Sequence, residues 1–480
     1  MLESHLFRQQ AFIDGQWRDA DNGGQQDVFN PATGALLGSV PLMGQTETRQ
    51  AIEAAARALP AWRALPAKER SARLQAWHRL IVQHEQELAR LMTLEQGKPL
   101  AEALGEVRYG ASFVEWFAEE AKRVYGDLVP APRAEQRLLV MKQPVGVVGA
   151  ITPWNFPNAM ITRKAAPALA AGCTLVLKPA PQTPFSALAL AELALRAGIP
   201  AGVFNVVTGD AAAIGSELTG NPLVRKLSFT GSTATGRLLL RQCAEGIKKV
   251  SLELGGNAPF IVFADADLDQ AVAGALAAKY RNNGQTCVCA NRFYVQDEIY
   301  EAFAEKLQQA IASLRVGNGL EDGTTLGPLI NQAAVDKVQA HIDDAVQRGA
   351  QLRTGGKPHA LGGTFFEPTL LTHVPHDARV AREETFGPLA ALLRFEQDDE
   401  AIRLANDTEY GLAAYLYTQN LQRIFCVSEA LEYGMVGVNT GLISNEVAPF
   451  GGVKSSGLGR EGSRYGIEDY LEIKYLNISL

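Results

Sequence analysis

The sequence predicts an α/β protein with parallel sheets. From residue 138 onward, short runs typical of β-strands alternate with runs typical of helices, and such alternation predicts βαβ units. The pattern begins again after Val250, with a strand-like run over residues 260–263 and a helix from Asp267. A chain of 480 residues can form two or three units that each bury a core. We therefore expect two α/β units joined near residues 254–256.

The residues before this alternation are expected to wrap the first sheet. They begin with a β-rich stretch over residues 11–17, in which the Asp14-Gly15 pair forms a turn. Two charged helical patterns follow, over residues 47–59 and 67–91.

The first unit contains one helix with clear end signals, over residues 184–197. Thr183 can cap its first turn, and Pro184 suits the first helical position. The helix is apolar on nearly every side, so we expect it to be buried. The other elements predicted for this unit are strands over residues 146–151, 204–208 and 225–229 and a helix over residues 233–245.

The second unit continues with a strand and then a helix across residues 292–312. Two further strand-like segments, residues 128–142 and 470–475, are distant in the sequence. They could pair with each other or with another subunit.

Composition and charge argue against several classes of function. The net charge of −7 comes with no basic stripe, so no nucleic-acid partner is expected. The longest apolar stretch, residues 165–177, is shorter than the ~18–20 residues that cross a bilayer, so we expect no membrane association. Residues 1–10 lack the apolar core of a secretory signal. Five mostly isolated cysteines suit a reducing compartment, and we expect a cytoplasmic protein.

Cys287 and Glu253 are the residues that point most directly to chemistry. None of the seven histidines lies in the runs that carry them. A thiol nucleophile with a carboxylate base and no histidine points to an enzyme that forms a thioester and hydrolyses it. The Cys287-Val288-Cys289 run has no partnering CxxC or HxxxH, so we expect no metal site.

Loops at predicted strand ends carry further candidates. Asn155 lies in a loop held by Pro153 and Pro157, where its amide could donate to a developing oxyanion or merely stabilise a turn. Ser232 lies where a strand passes into a helix, which is a generic phosphate seat or an ordinary capped turn. Lys178 could reach a ribose or phosphate, or only end its strand.

Glu384 and Phe386 lie two residues apart beside a Gly-Pro pair. In an extended loop such residues point the same way, which would suit ribose hydroxyls and a flat ring. The alternative is an acidic surface loop.

Six motifs, taken in order, resemble those of the aldehyde dehydrogenase superfamily, and the match covers essentially the whole chain. They are Trp154-Asn155-Phe156-Pro157, Lys178-Pro179, Phe229-Thr230-Gly231-Ser232, Glu253-Leu254-Gly255-Gly256, Gly284-Gln285-Thr286-Cys287 and Glu384-Thr385-Phe386-Gly387-Pro388. The resemblance implies an aldehyde dehydrogenase-like α/β fold with a Rossmann-like coenzyme domain, an α/β catalytic domain and a small β oligomerisation flap. The implied ranges are 1–124 and 144–254 for the coenzyme domain, 255–455 for the catalytic domain, and 125–143 and 456–480 for the oligomerisation segments of a homodimer or a dimer-of-dimers tetramer.

The resemblance also implies roles for single residues. Cys287 would attack the aldehyde, Asn155 and the Cys287 backbone N–H would hold the oxyanion, and Glu253 would activate water to hydrolyse the thioester. Relatives that pass the acyl group to coenzyme A typically lack this glutamate, so a free acid is the expected product. The coenzyme would lie against Trp154, Lys178, Pro181, Ser232, Leu254, Glu384 and Phe386.

Within the superfamily, the sequence most resembles the bacterial-type succinate-semialdehyde dehydrogenases. Arg163, Arg281 and Ser444 match the residues that receive the distal carboxylate of the substrate there. Guanidinium groups suit this task because they bind carboxylates bidentately and stay charged, although either arginine could instead form an ion pair. The same residues could serve glutarate semialdehyde, which is one carbon longer. A non-catalytic scaffold related to these enzymes is the alternative from another class.

Pro181 and Cys289 carry two further expectations. NAD-preferring relatives often have an acid three residues after the lysine, where this chain has Pro181. Pro181 has no carboxylate that would repel the 2′-phosphate of NADP, so we expect NADP to be preferred over NAD. Some relatives carry a similar Cys-x-Cys run and use it as a redox switch, and a disulfide between residues two apart would be strained and readily reduced. Cys289 could equally be a small packing residue.

Overall fold

The computed structural model describes residues 5–480, so residues 1–4 of the segment considered for a secretory signal lie outside the described residues. Residues 5–480 form twenty strands. In chain order these are β1 Ala11–Ile13, β2 Gln16–Arg18, β3 Gln25–Phe29, β4 Leu36–Pro41, β5 Asp127–Val129, β6 Gln136–Pro144, β7 Val147–Ile151, β8 Thr174–Lys178, β9 Phe204–Val206, β10 Val224–Thr230, β11 Lys249–Glu253, β12 Ala258–Val262, β13 Ala290–Gln296, β14 Gln351–Thr354, β15 Thr369–Thr372, β16 Leu389–Phe395, β17 Ala413–Tyr417, β18 Met435–Val438, β19 Gly457–Leu458 and β20 Leu471–Ser479.

The same residues form fourteen α-helices. In chain order these are α1 Gln45–Ala64, α2 Ala67–Gln83, α3 Glu85–Gln96, α4 Leu100–Glu120, α5 Ala159–Ala171, α6 Pro184–Arg196, α7 Ala211–Gly220, α8 Thr233–Ala244, α9 Leu268–Tyr280, α10 Tyr300–Ala312, α11 Gln332–Gln347, α12 Arg379–Arg382, α13 Asp398–Asn406 and α14 Leu421–Ala430. None of the helices within residues 5–480 is both long and apolar enough to span a membrane.

The first sheet has the strand order β19-β11-β10-β7-β8-β9-β1-β2. Its five central strands are parallel, which confirms the predicted βαβ pattern. Two of these strands end at motif residues, β8 at Lys178 and β11 at Glu253, and β7 ends at Ile151, just before the motif that contains Asn155. Since ligands of parallel sheets bind at the carboxyl ends of the strands, this edge is where the site is expected.

The second sheet has the order β14-β15-β16-β13-β12-β17-β18 and is parallel except for β14. The predicted restart after Val250 is therefore confirmed. Asp267 caps α9 by accepting hydrogen bonds from the backbone N–H groups of Asp269 and Gln270. Apolar residues of α9, α10 and the central strands are buried against this sheet, so each sheet has its own core.

The third sheet, β20-β6-β5, is antiparallel. Strand β20 pairs with β6 from Leu471 with Pro144 to Ser479 with Gln136, so the two distant strand-like segments pair with each other. The domain ranges inferred from the motifs remain a prediction. Strand β19, which lies in the range assigned to the oligomerisation segments, pairs with β11 of the first sheet.

Helices account for most of the wrong secondary-structure predictions. The pattern over residues 67–91 is two helices that meet at His84, and neither α4 nor α5 was expected. Helix α5 is buried on every side and runs almost directly into the apolar strand β8. It therefore lacks the amphipathic period that identifies a helix.

Thr183 was expected to cap α6, and this is wrong. Its side chain makes no capping hydrogen bond. The carboxylate of Glu95, on α3, instead accepts hydrogen bonds from the backbone N–H groups of Phe185 and Ser186, both at 2.8 Å. A buried helix end needs such a partner, and here it comes from a distant helix. The predicted burial of α6 is confirmed.

Candidate active site

A cavity of about 370 Å³ opens where the loops of the first sheet face those of the second. Loops that follow β7, β10 and β11 form one wall, and the loop that carries Cys287, helix α11 and residues 384–386 form the other. Eight of the residues proposed from the motifs line it: Trp154, Asn155, Ser232, Glu253, Leu254, Cys287, Glu384 and Phe386.

Asn155 lies in the loop between β7 and α5 and is 5% exposed. Its side-chain Nδ2 donates a hydrogen bond of 2.9 Å to the backbone carbonyl of Gln285. A carboxamide has two N–H donors, so one remains for a ligand. The contact joins the predicted oxyanion residue to the loop of the nucleophile.

Cys287 follows a tight turn formed by Arg281, Asn282, Asn283 and Gly284. Gly284 has φ +74°, and a Cβ atom there would collide with the backbone carbonyl of Gly387, so only glycine fits. Cys287 is partly accessible from the cavity. Loss of solvent raises the pKa of its thiol to about 12, although the charge of Arg163 opposes this shift. The resting nucleophile is therefore a neutral thiol, which must lose its proton during attack.

Glu253 is 3% exposed, and its Oε2 has no hydrogen-bond partner within residues 5–480. Burial, together with the nearby charge of Glu461, raises the pKa of Glu253 well above its ordinary value. Burial also acts to raise the pKa of Glu461, but Lys164 and Arg163 outweigh it and hold that pKa below its usual range. The two carboxyl groups thus have different properties: Glu253 is suited to act as a base, and Glu461 remains a carboxylate paired with cations.

Lys164 and Glu461 were not identified from the sequence. Lys164 Nζ lies 2.5 Å from Glu461 Oε1, and both residues are buried. The pair of cations at 163 and 164 inside an otherwise apolar segment was a usable signal for Lys164. Glu461 had none, because its partners lie almost 300 positions earlier.

Arg163 was expected to receive a substrate carboxylate, and the structure places it beside Glu461. The two side chains approach to 2.8 Å, although Arg163 Nε and Nη2 have no partner with hydrogen-bond geometry within the described chain. Its Nη1 donates to the hydroxyl of Tyr109 at 3.4 Å. Arg163 therefore forms the ion pair that was the alternative. Its Nε remains available to donate to an anion.

Arg281 and Ser444 both influence the hydroxyl of Tyr109. The side chain of Ser444 and the charge of Arg281 both act on Tyr109. Arg281 forms no ion pair with any of residues 5–480, and its Nε is buried without a hydrogen-bond partner there. Its guanidinium lies 5.5 Å from the ring centroid of Phe156. All three expected residues therefore act on Tyr109. The sequence did not indicate a role for Tyr109.

The coenzyme residues divide between two places. Lys178 and Pro181 do not line the main cavity, and Pro181 borders a second cavity beside Glu95. Lys178 is 3% exposed, and burial lowers its pKa to about 8. Within residues 5–480, its Nζ donates a hydrogen bond only to the carbonyl of Pro179. A buried ammonium with unused donors and no carboxylate partner suits the hydroxyl or phosphate groups of a nucleotide.

Glu384 and Phe386 both face the main cavity, but the backbone there is not extended, since Phe386 has φ +58°. Burial raises the pKa of Glu384 to about 7, and its Oε1 accepts a hydrogen bond from the backbone N–H of Gly256. Phe386 packs edge-on against Trp154 at 5.6 Å between ring centroids. Lys337, which the sequence did not indicate, lines the cavity and acts electrostatically on Glu384.

His341 holds this loop from behind. It is fully buried on α11 and lies 3.1 Å from Thr385 Oγ1 and 3.2 Å from Glu383 Oε2 through its two ring nitrogens. Burial, followed by the charge of Lys337, lowers the pKa of His341 to about 4.

Cys289 is 2% exposed and lies outside the cavity lining. Its Sγ donates to the backbone carbonyl of Lys279 at 3.3 Å. These contacts are those of a packing residue, and a redox pairing with Cys287 stays a prediction. Residues 5–480 contain no cluster of His, Cys, Asp and Glu that could hold a metal ion.

The family model described as "Aldehyde dehydrogenase family" matches residues 17–476. The chain is 69% identical over 478 residues to the Escherichia coli protein named succinate-semialdehyde dehydrogenase (NADP+) GabD, covering 100% of this chain and 99% of that protein. It is also 69% identical, over 100% of both chains, to the glutarate-semialdehyde dehydrogenase of Pseudomonas putida. A solved structure described as an E. coli NADP-dependent enzyme superposes with a TM-score of 0.99 at 69% identity and full coverage of both chains.

Proposed function

The chain belongs to the aldehyde dehydrogenase family, and from this premise we propose that it oxidises succinate semialdehyde to succinate, with NADP+ as the preferred coenzyme and NAD+ as the alternative. The observation that carries the substrate assignment is a pair of guanidinium groups near the nucleophile, that of Arg163 buried and that of Arg281 half-buried. Arg163 and Arg281 both act electrostatically on Cys287, and both keep buried nitrogen donors without partners in the described chain. Charged donors of this kind favour an aldehyde that carries a carboxylate.

The proposed reaction begins with Cys287. Its sulfur bonds to the aldehyde carbon as the thiol proton passes to solvent water, and the oxyanion that forms accepts hydrogen bonds from the free N–H of Asn155 and from the Cys287 backbone N–H. Donors placed in this way each lower such a barrier by about 3–4 kcal/mol. The coenzyme, which Lys178, Ser232 and Glu384 would hold, would supply the hydride acceptor, and loss of hydride from this carbon would convert the adduct on Cys287 into a thioester.

Glu253 completes the reaction in this proposal. Its raised pKa makes it a stronger base than an ordinary carboxylate, and the cavity that it lines also contains Cys287. It takes a proton from water as the water oxygen bonds to the thioester carbon. The carbon–sulfur bond then breaks and the proton held by Glu253 passes to the sulfur, which releases the acid and restores the thiol.

Coenzyme preference is assigned to Lys178 and Pro181. Lys178 offers buried donors to the ribose or its 2′-phosphate, and Pro181 supplies no competing carboxylate. The name of the E. coli relative includes NADP(+), which supports this order of preference.

Glutarate semialdehyde is the second candidate substrate, because the P. putida relative with equal identity carries that name. The test is the specificity constant for unbranched ω-semialdehydes of three to six carbons, with butanal as the uncharged reference. We expect a maximum at four carbons. A maximum at five would assign the enzyme to glutarate semialdehyde, and equal rates for butanal would remove the carboxylate assignment.

We propose that β5, β6 and β20 pack against a second copy of this chain in a homodimer or a dimer of dimers. Large apolar side chains on this sheet and at its end are exposed, including Leu128 at 73%, Ile473 at 72% and Leu480 at 73%, and such patches mark protein interfaces. Ile473→Lys should lower the mass measured by light scattering. Val346→Lys, at an exposed apolar site on α11, is the control that should not.

We also propose that the protein works in the cytoplasm. All five of its cysteines are free of disulfides, which suits a reducing compartment. Cell fractionation tests this, and recovery from an extracytoplasmic fraction would contradict it.

A further inference from the structure

A buried group of charged and polar side chains lies behind the loop that carries Asn155. Lys98 precedes α4 and is 2% exposed, and Glu106, within α4, is 4% exposed. Lys98 Nζ lies 2.5 Å from Glu106 Oε2. Neither residue lines the cavity that contains Cys287. Buried charges are costly unless they are paired and hydrogen-bonded, so the remaining bonds of this pair matter.

Lys98 contacts the peptide group of Asn155 directly. Its Nζ donates to the Asn155 backbone carbonyl at 2.7 Å and lies 4.0 Å from the ring centroid of Phe156. Asn282 Nδ2 donates to the same carbonyl at 3.0 Å. Two donors on one carbonyl fix the plane of this peptide, and this sets the point from which the Asn155 side chain projects.

Glu106 secures the other end of the same loop. Its Oε1 accepts hydrogen bonds from the backbone N–H groups of Asn158 at 2.9 Å and Ala159 at 3.2 Å. Asn158 occupies the capping position of α5 but makes no side-chain capping bond. The carboxylate of Glu106 therefore supplies the cap from another helix, and it binds the end of the loop and Lys98 at the same time.

The network continues into the loop of the nucleophile through Asn282. The backbone N–H of Asn282 donates to Glu102 Oε2 at 2.8 Å, and its Oδ1 accepts from Gln96 Nε2 at 3.0 Å. Asn282 has φ +51°, a left-handed conformation that costs energy unless its surroundings hold it. The residues in and next to α4 thus fix the position of the loop of Asn155 relative to the loop of Cys287.

We propose that Lys98 and Glu106 are positioning residues for the oxyanion site, acting through Asn155 without touching the substrate. This inference rests on the proposed function only in needing an aldehyde that the enzyme oxidises. Displacement of a catalytic group by about 1 Å can cost about 100-fold in rate. Lys98→Met removes the donor and keeps most of the volume, and it should lower kcat about 10- to 100-fold with little change in KM.

A double-mutant cycle with Asn155→Ala tests the route of action. If Lys98 acts through the Asn155 amide, Lys98→Met should cost about 10- to 100-fold in the wild-type background and less than about threefold in the Asn155→Ala background. Alkylation of Cys287 by iodoacetamide builds no oxyanion, so its rate should stay within about threefold in every variant. Equal factors in both backgrounds, or a parallel loss of alkylation, would overturn the proposal.

Lys226→Met is the matched control for loss of a buried lysine. Lys226 is fully buried in β10 and donates to Ser251 Oγ, so this variant should lose thermal stability while keeping kcat within about threefold. If Lys98→Met does not fold, Glu106→Gln carries the same cycle with the same expected non-additivity. Wild-type protein that forms no NADPH from any aldehyde would refute the proposed function together with this inference, whereas additive losses refute the inference alone.

Discussion

Replacement of Arg281 by alanine is the most direct test of how the substrate carboxylate is recognised. Arg281 forms no ion pair within residues 5–480 and has a buried Nε without a partner, so its removal leaves no stranded carboxylate. Removal of Arg163 would instead leave Glu461 with one fewer cation. A charge-assisted hydrogen bond contributes about 1.5–3 kcal/mol. Arg281→Ala should therefore lower kcat/KM for succinate semialdehyde about 10- to 150-fold, mostly through KM.

The assay compares succinate semialdehyde with butanal, which has the same carbon chain and no carboxylate. Butanal should lose less than about threefold, because it has nothing for the guanidinium to bind. Arg348→Ala removes an exposed arginine that pairs with Asp344 and Asp377, and it should change neither substrate. Equal losses on both aldehydes with Arg281→Ala would refute the reasoning.

Three further predictions follow from the site. Pro181→Glu should lower the ratio of kcat/KM for NADP+ over NAD+ at least tenfold, because a carboxylate there would repel a 2′-phosphate; an unchanged ratio in steady-state assays with both coenzymes would contradict this. Glu253→Gln should retain a single-turnover burst of NADPH but slow the steady state by about 10²–10⁴-fold, because only hydrolysis of the thioester needs the base; rapid mixing should show the burst, and its absence would place Glu253 in the first step. The pKa of His341 is about 4 in the folded protein and about 6.5 in an unfolded chain. Below pH 6.5 the unfolded chain therefore binds a proton that the folded protein does not. The free energy of unfolding should fall by up to about 3 kcal/mol as pH drops from 6.5 to 4. In urea unfolding, the deficit of His341→Gln relative to wild type should shrink over this range, and a constant deficit would be the contrary result.

Local patterns predicted the fold well where a segment carries its own signal. The strands predicted over residues 146–151 and 225–229 have largely apolar bodies, and the structure forms them as β7 and β10. The two distant strand-like segments were expected to pair with each other or with another subunit, and the first alternative is the one that β6 and β20 form. Local sequence was misleading where a segment has no polar face, as in α5, which is buried throughout.

The site could be predicted only as far as its motifs reached. Asn155, Glu253 and Cys287 lie in recognisable runs, and the structure brings them to one cavity. Their supporting partners are charged groups from distant segments, such as Lys98 behind Asn155 and Glu461 beside Glu253. An ion pair between distant positions leaves no periodic trace in one sequence, so such residues become visible only when the chain is folded.

The charges around the cavity bear on how a neutral thiol can start an ionic reaction. The raised pKa of Cys287 keeps its thiol protonated at neutral pH, while Arg163, Lys164 and Glu461 form a buried cluster of charges. A free thiolate is therefore costly to form. Proton loss becomes easier when it accompanies attack, because the oxyanion then carries the negative charge. Donors held in place before the reaction stabilise that oxyanion without further rearrangement. The position of the Asn155 amide, more than the acidity of the thiol, should then control the rate of attack.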